Sequence, residues 1–338
     1  MSIHVVKPGA LSSLQDLGRH GFQRLGVVAD GVMDEWSHRV ANLLVGNPEG
    51  EATLEVTLMG PSLEFRETAL IAICGAALSP RIGEQALPQD RPALVRAGSR
   101  LDFGKRESGM RAYLAVHGGF DVAPVMGSKS TYLRGGFGGL EGRALRKGDT
   151  LAIGAGVGDA ERVFPQLARR LQQGGEPFAA LANAPIGSSA GTTDVQPVRV
   201  MVGQQWSAFS DDAQAQLFDA EFRLSPQSDR MGFRFEGPKL VLREPLEMIS
   251  EAVAFGTIQV PPDGNPIVLM ADRQTTGGYP KIAAVASVDL PLLAQLVPQQ
   301  RVRFARVSLD EAQRLYLERE AQLERLRLAL ERLKQETT

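Results

Sequence analysis

The 338-residue chain has a single cysteine, Cys74, so it can form no internal disulfide, in keeping with a reducing compartment. Its four histidines, His4, His20, His38 and His117, show no metal-ligand spacing and have no partner cysteines, which argues against a zinc site, and no metal ligands are assigned. With 37 Lys and Arg against 39 Asp and Glu, the net charge is -2, and there is no basic excess to hold nucleic acid or an anionic membrane. No apolar run approaches the roughly 20 residues that span a bilayer. The opening MSIHVVKPGALSS lacks the basic start and apolar core of a signal peptide, so the expected location is the cytoplasm. Gly127-Ser-Lys129-Ser has the wrong order for a Walker loop, and no G-x-S-x-G elbow occurs.

Glycine is plentiful, and short apolar stretches such as ALIAICG, RAYLAVHGG, VRVMVG, IVLMAD and RVRF are bounded by Gly, Pro or Asp. This punctuation predicts a mainly β protein of many short strands. At roughly 150 residues per domain, the length suggests two domains. Met33 to Leu44 carries an apolar face at Met33, Trp36, Val40, Leu43 and Leu44 and predicts an amphipathic helix. The expected organisation is a first domain over 1–155, a linker over 156–196 containing GSSAGTTD and a short helix near Arg162 to Gln172, a second domain over 197–308, and a helix over 309–338. Ser308 with Glu311 forms a capping box, and Leu309, Ala312, Tyr316, Arg319, Leu323, Leu326, Leu330 and Leu333 follow at spacings of three and four. That seam would lie along its own chain or form a coiled coil with another copy or a partner.

The chain also matches itself. Arg19-x-Gly-Phe-x3-Gly26 is repeated as Arg230-x-Gly-Phe-x3-Gly237, with Asp16 and Asp229 shortly before each. Glu55-x4-Gly60 corresponds to Glu251-x4-Gly256, Ile71–Ala76 to Ile267–Asp272, and Arg100–Phe103 to Arg301–Phe304. Four matches in the same order indicate two related domains. Cys74 then falls opposite Met270 inside a strand and reads as core.

The duplication isolates one stretch. After matching strands, the first copy continues blandly as Ala-Leu-Ser-Pro, whereas the second continues Asp272-Arg-Gln-Thr-Thr-Gly-Gly-Tyr279. Functional groups are commonly delivered at strand ends, although a solvated hairpin would look similar. Asp272 and Glu251 are candidate general bases, and Lys281 and Arg273 candidate clamps for a carboxylate or phosphate. Gln274, Thr275 and Thr276 could supply hydrogen bonds to a developing oxyanion, with Tyr279, Gln259, Asp229 and Arg230 as further substrate contacts. For each charged residue the competing reading is a surface ion pair. A second cluster, Gly127-Ser128-Lys129-Ser-Thr131-Tyr132, could bind an anion through its lysine and hydroxyls, Ser128 and Thr131 among them, or form a subunit contact; the competing reading is an ordered turn.

SLQDLGRHGFQRLGV, LEVTLMGPSLEF, GSKSTYLRGGFGGLEGR and ISEAVAFGTIQVPPDGNPIVLMADRQTTGGYPKIA resemble the family of 5-oxoprolinase C subunits, also called allophanate hydrolase subunit 2 or biotin-dependent carboxyltransferase. The resemblance runs from about residue 3 to 309 and implies tandem cyclophilin-like β-barrels. It also implies work in a complex with 5-oxoprolinase subunits B and A that opens 5-oxoproline to glutamate using ATP with Mg2+, whose site cannot be placed on this chain. Two alternatives follow from it: a biotin-dependent carboxyltransferase of the urea carboxylase type, with biotin carried on another protein, and a non-enzymatic regulator of a kinase-inhibitor-like partner. Pro298-Gln299 stands where the family usually has Pro-Gly, and the helical tail is longer than the family leads one to expect.

Overall fold

The computed structural model describes residues 2–154, 160–181 and 197–335. Alternation of charged and apolar residues sets the strands of its second half. In Arg301–Arg306 (RVRFAR), Val302 and Phe304 are buried while Arg301, Arg303 and Arg306 are exposed. Gly232–Glu236 repeats the pattern with Phe233 and Phe235 inward. Ala69–Ala77 is different, because an apolar run without alternation is buried over nearly its whole length.

The chain divides into two compact units, one of Met1–Arg19, Asp34–Gly191 and Ala321–Thr338, the other of His20–Met33 and Thr192–Glu320. In the first, two six-stranded sheets share a core. Val5, Leu63, Phe65 and Leu101 from one sheet meet Leu54, Val56, Ile71, Ile73 and Leu114 from the other. The expected amphipathic helix forms over Glu35–Leu44, packed on strands Ala69–Ala77 and Ser108–Val116, which is why the former needs no polar face. Asp34 caps the helix, accepting from Ser37 N at 2.9 Å and Ser37 Oγ at 2.7 Å.

The second unit is a closed seven-stranded barrel, in the order Val198–Val202, Lys281–Val285, Thr257–Gln259, Ile267–Leu269, Gly232–Glu236, Glu221–Leu224 and Arg301–Arg306. A parallel pairing of the first and last strands closes the ring and leaves it without an open edge. Phe222, Phe233, Phe235 and Phe304 fill the interior with Ile258, Val268 and Ile282. Met33 belongs to this core as well, carried there by the segment His20–Met33.

Two expectations change. The region expected to be a linker contains helices Ala160–Val163 and Pro165–Gln173, and strand Phe178–Ala180 paired with Ala93–Val95. Leu167, Ala168 and Leu171 are buried there, so residues 160–181 are part of the first unit; GSSAGTTD lies outside the described residues. The units are also not consecutive in sequence, since 20–33 leaves the first half to join the barrel. The terminal helix spans Leu309–Gln335 with Ser308 Oγ accepting from Glu311 N at 3.2 Å, and its seam is covered in part within the single chain: Leu323, Leu326 and Leu330 are buried, while Leu309 and Tyr316 are exposed. Arg319, the charge in the seam, donates to the carbonyls of Ser287 and Val288.

Candidate functional site

Strand Ile267–Leu269 runs through buried Met270 and Ala271 into Asp272, whose N–H donates to Arg230 O at 2.8 Å. Arg230 is itself buried. Its Nε donates to both Asp272 oxygens at 3.2 and 3.1 Å, and its Nη2 to Asp272 Oδ1 at 2.9 Å, Asp30 Oδ1 at 3.1 Å and Gly31 O at 2.5 Å. One guanidinium thus serves two buried carboxylates and joins the segment His20–Met33 to the base of the loop. Both oxygens of Asp272 are engaged by Arg230, an arrangement suited to fixing a loop and not to taking up a proton. Arg273 also turns inward, with Nη1 3.4 Å from both Met270 O and Ala271 O and its guanidinium 5.6 Å from the centre of the Phe255 ring. Burial lowers its pKa, opposed by the charge of Asp272.

Beyond this anchor the loop opens outward. Gln274 and Thr276 are exposed, and the carbonyl of Thr275 accepts from Gln23 Nε2 at 2.8 Å and from Val253 N at 3.3 Å. Thr276–Gly277 pairs with Glu251–Ala252 as a two-stranded ribbon. Lys281 opens the next barrel strand, and its Nζ lies 2.8 Å from Glu251 Oε2. Gln259 is in register with Lys281, is buried, and reaches Tyr279 O at 3.4 Å; a Cβ on Gly277 would stand 2.4 Å from its Nε2. Glu251, Gln259, Gly277, Tyr279 and Lys281 therefore form one polar cluster on the barrel, with Gln205 Oε1 accepting from Lys281 N at 3.1 Å beside it.

The other candidates are taken up in turns or belong to the first unit. Asp229 Oδ1 accepts from Met231 N at 2.8 Å, as Asp16 Oδ1 accepts from Gly18 N at 2.8 Å, so the duplicated aspartates make the same local turn. Ser128 and Thr131 belong to the first unit. Ser128 Oγ and Ser130 Oγ donate to Asp16 Oδ1 at 2.7 and 2.6 Å, Lys129 N donates to Asp16 Oδ2 at 2.6 Å, and Thr131 Oγ1 donates to Leu14 O at 2.9 Å. Burial pushes the Asp16 pKa up, but the hydrogen bonds from Ser130, Ser128, Gly18 and Lys129 outweigh it and hold the carboxyl below the usual range. Those hydroxyl protons are spent on the protein's own turn. Glu55, the counterpart of Glu251, is buried and accepts from Tyr113 Oη at 2.8 Å. Cys74 is buried as expected, and burial pushes its thiol well up.

Among the described residues no group of His, Cys, Asp or Glu is arranged to hold a metal ion, and no helix is long and apolar enough to cross a membrane. Gln23, Asp30 and Gln205 are not among the residues that sequence patterning nominates. Gln23 lies within the duplicated Arg19–Gly26 motif, but nothing local marks Asp30 or Gln205.

Fold and polar cluster together define a β-rich protein of two units with a polar site on a closed barrel. The model of the carboxyltransferase domain, subdomains A and B, matches residues 25–306, and the chain belongs to that family. It is 37% identical over 310 residues to the 5-oxoprolinase C subunit of Escherichia coli, covering 92% of this chain and 93% of the relative. With the 5-oxoprolinase C subunit of Haemophilus influenzae, identity is 37% over 325 residues, covering 96% and 97%. The crystal structure of K. lactis urea amidolyase superposes with a TM-score of 0.83 at 29% identity, over 96% of this chain but 20% of that one.

Proposed function

We propose that this chain is the C subunit of an ATP-dependent 5-oxoprolinase, acting with subunits A and B to open 5-oxoproline to L-glutamate in the cytoplasm. The observation that carries this reading is coverage: both bacterial C subunits align over at least 92% of either chain, whereas urea amidolyase is matched over one fifth of its length. Opening a five-membered lactam runs uphill, because the product amine and carboxylate re-close readily. Transfer of phosphate from ATP to the amide oxygen would make that carbon a better electrophile. Water adds to it, the C–N bond breaks as the nitrogen gains a proton, and a second water releases phosphate from the acyl phosphate.

In this scheme Lys281 holds the carboxylate of 5-oxoproline, and Gln274 and Thr275 donate to the oxygen that gathers charge. Arg230 and Asp272 keep the loop in place, and Glu251, once parted from Lys281, is the carboxylate able to take a proton from water. ATP with Mg2+ is consumed by the assembled complex. Ser128 and Thr131 do not fit a phosphate cradle here, because their hydroxyls already serve Asp16 and Leu14. Structural likeness to urea amidolyase supports a second reading, carboxyl transfer from biotin borne on another protein.

The assignment is tested in the assembled complex. Lys281→Ala should lower kcat/KM for 5-oxoproline by about 30-fold or more, the scale of losing a charged partner from a largely buried site. Normal glutamate formation by both Lys281→Ala and Asp272→Ala would show that the cluster is not the site.

A further inference from the structure

The polar cluster on the barrel holds a cation whose counterion is lightly anchored. The side chain of Lys281 is 9% exposed, while that of its partner Glu251 is 47% exposed. Glu251 stands on a two-residue strand that pairs only with Thr276–Gly277, and Ile249 just before it is 88% exposed. A buried ammonium without a partner is costly, whereas a half-exposed carboxylate loses little on returning to water. Exchange of the partner is therefore cheap for Glu251, provided another anion takes its place at Lys281. The amide of Gln259 lies in register beside Lys281 and is packed closely under Gly277, where a Cβ would stand 2.4 Å from Gln259 Nε2.

Resting on the proposed role of this cluster, we propose that Glu251 is a resident stand-in for the ligand's carboxylate. A small monocarboxylate displaces it and accepts the hydrogen bonds of Lys281 Nζ, while Glu251 turns off the lysine toward water. The site then selects for the charge of the acid and admits a neutral lactam only weakly.

The test is calorimetric titration of the full chain and of Glu251→Gln and Lys281→Met with L-5-oxoproline and with neutral 2-pyrrolidinone, with melting temperatures as the control for folding. Glu251→Gln should bind L-5-oxoproline roughly fivefold more tightly than the unaltered chain, the size of a competing, partly exposed ion pair. Lys281→Met should bind it more weakly than the unaltered chain, and 2-pyrrolidinone should not distinguish Glu251→Gln from the unaltered chain. Should Lys281→Met fail to fold, the half-exposed Glu251 position decides. A folded Glu251→Gln with equal or weaker affinity, or with no detectable binding, overturns the proposal. The expected binding pattern in a chain whose complex forms no glutamate would remove the proposed reaction and leave the exchange standing; glutamate formation with equal affinities would do the reverse.

Discussion

Arg230 decides more of the barrel's loop geometry than any residue offered as a catalyst. Its side chain is 7% exposed and faces two carboxylates, Asp30 and Asp272, exposed by 0% and 5%. Replacing it with Met leaves two buried charges without their common donor and should cost about 3–5 kcal/mol in denaturant unfolding, with Arg230→Lys recovering only part because one ammonium cannot reproduce the fork. A second residue is held in a strained backbone conformation. Gln299 has φ 76°, a left-handed conformation that costs a side chain roughly 1–2 kcal/mol. Gln299→Gly should raise stability by about 0.5–1 kcal/mol after the larger chain entropy of glycine is subtracted, read as a higher denaturation midpoint. At this scale the sequence is partly legible. The duplicated Arg-x-Gly-Phe motif singles out Arg230, and the contrast with the first copy singles out Asp272 to Lys281. Asp30 is invisible, because its partner lies 200 residues away and no local pattern encodes that pairing.

The helix Glu35–Leu44 is readable from its apolar face, but its buried polar side is not. His38 is fully buried, with Nδ1 2.8 Å from Thr53 Oγ1 and Nε2 3.5 Å from Asn42 Nδ2. Burial pushes its pKa down to about 4, with Asp16 opposing. A histidine held neutral in the fold takes up its proton more readily when unfolded, so the stability it contributes is complete above about pH 6.5 and drains away as the pH falls toward 4. The loss should be about 3 kcal/mol over that window in chemical denaturation, and His38→Gln should flatten it. The terminal helix shows what periodicity leaves open. Its capping box and length follow from spacing, but a seam of leucines reads the same whether the surface it meets is its own chain or another copy. In the single chain Leu323, Leu326 and Leu330 meet its own surface, whereas Leu309 and Tyr316 stay exposed.

For the whole molecule, mainly β composition and internal repetition are evident because strands are punctuated locally by Gly, Pro and Asp. The division of the chain is not, since the segment His20–Met33 gives Met33 to the barrel core and Gln23 to the carbonyl of Thr275 from a position inside the first half. Residues 160–181 look like linker because Ala, Gln and Arg carry little strand signal, yet Leu167 and Leu171 are enough to fix a helix on the first unit. Family membership and near-complete coverage of two 5-oxoprolinase C subunits give the account its central claim. The decisive measurement mixes this chain with the proposed subunits A and B and follows glutamate and ADP from L-5-oxoproline and ATP, with each protein omitted in turn. ATP-dependent glutamate is expected only when all three are present. An assembled complex that releases no glutamate, or one that releases it equally well without this chain, would contradict it.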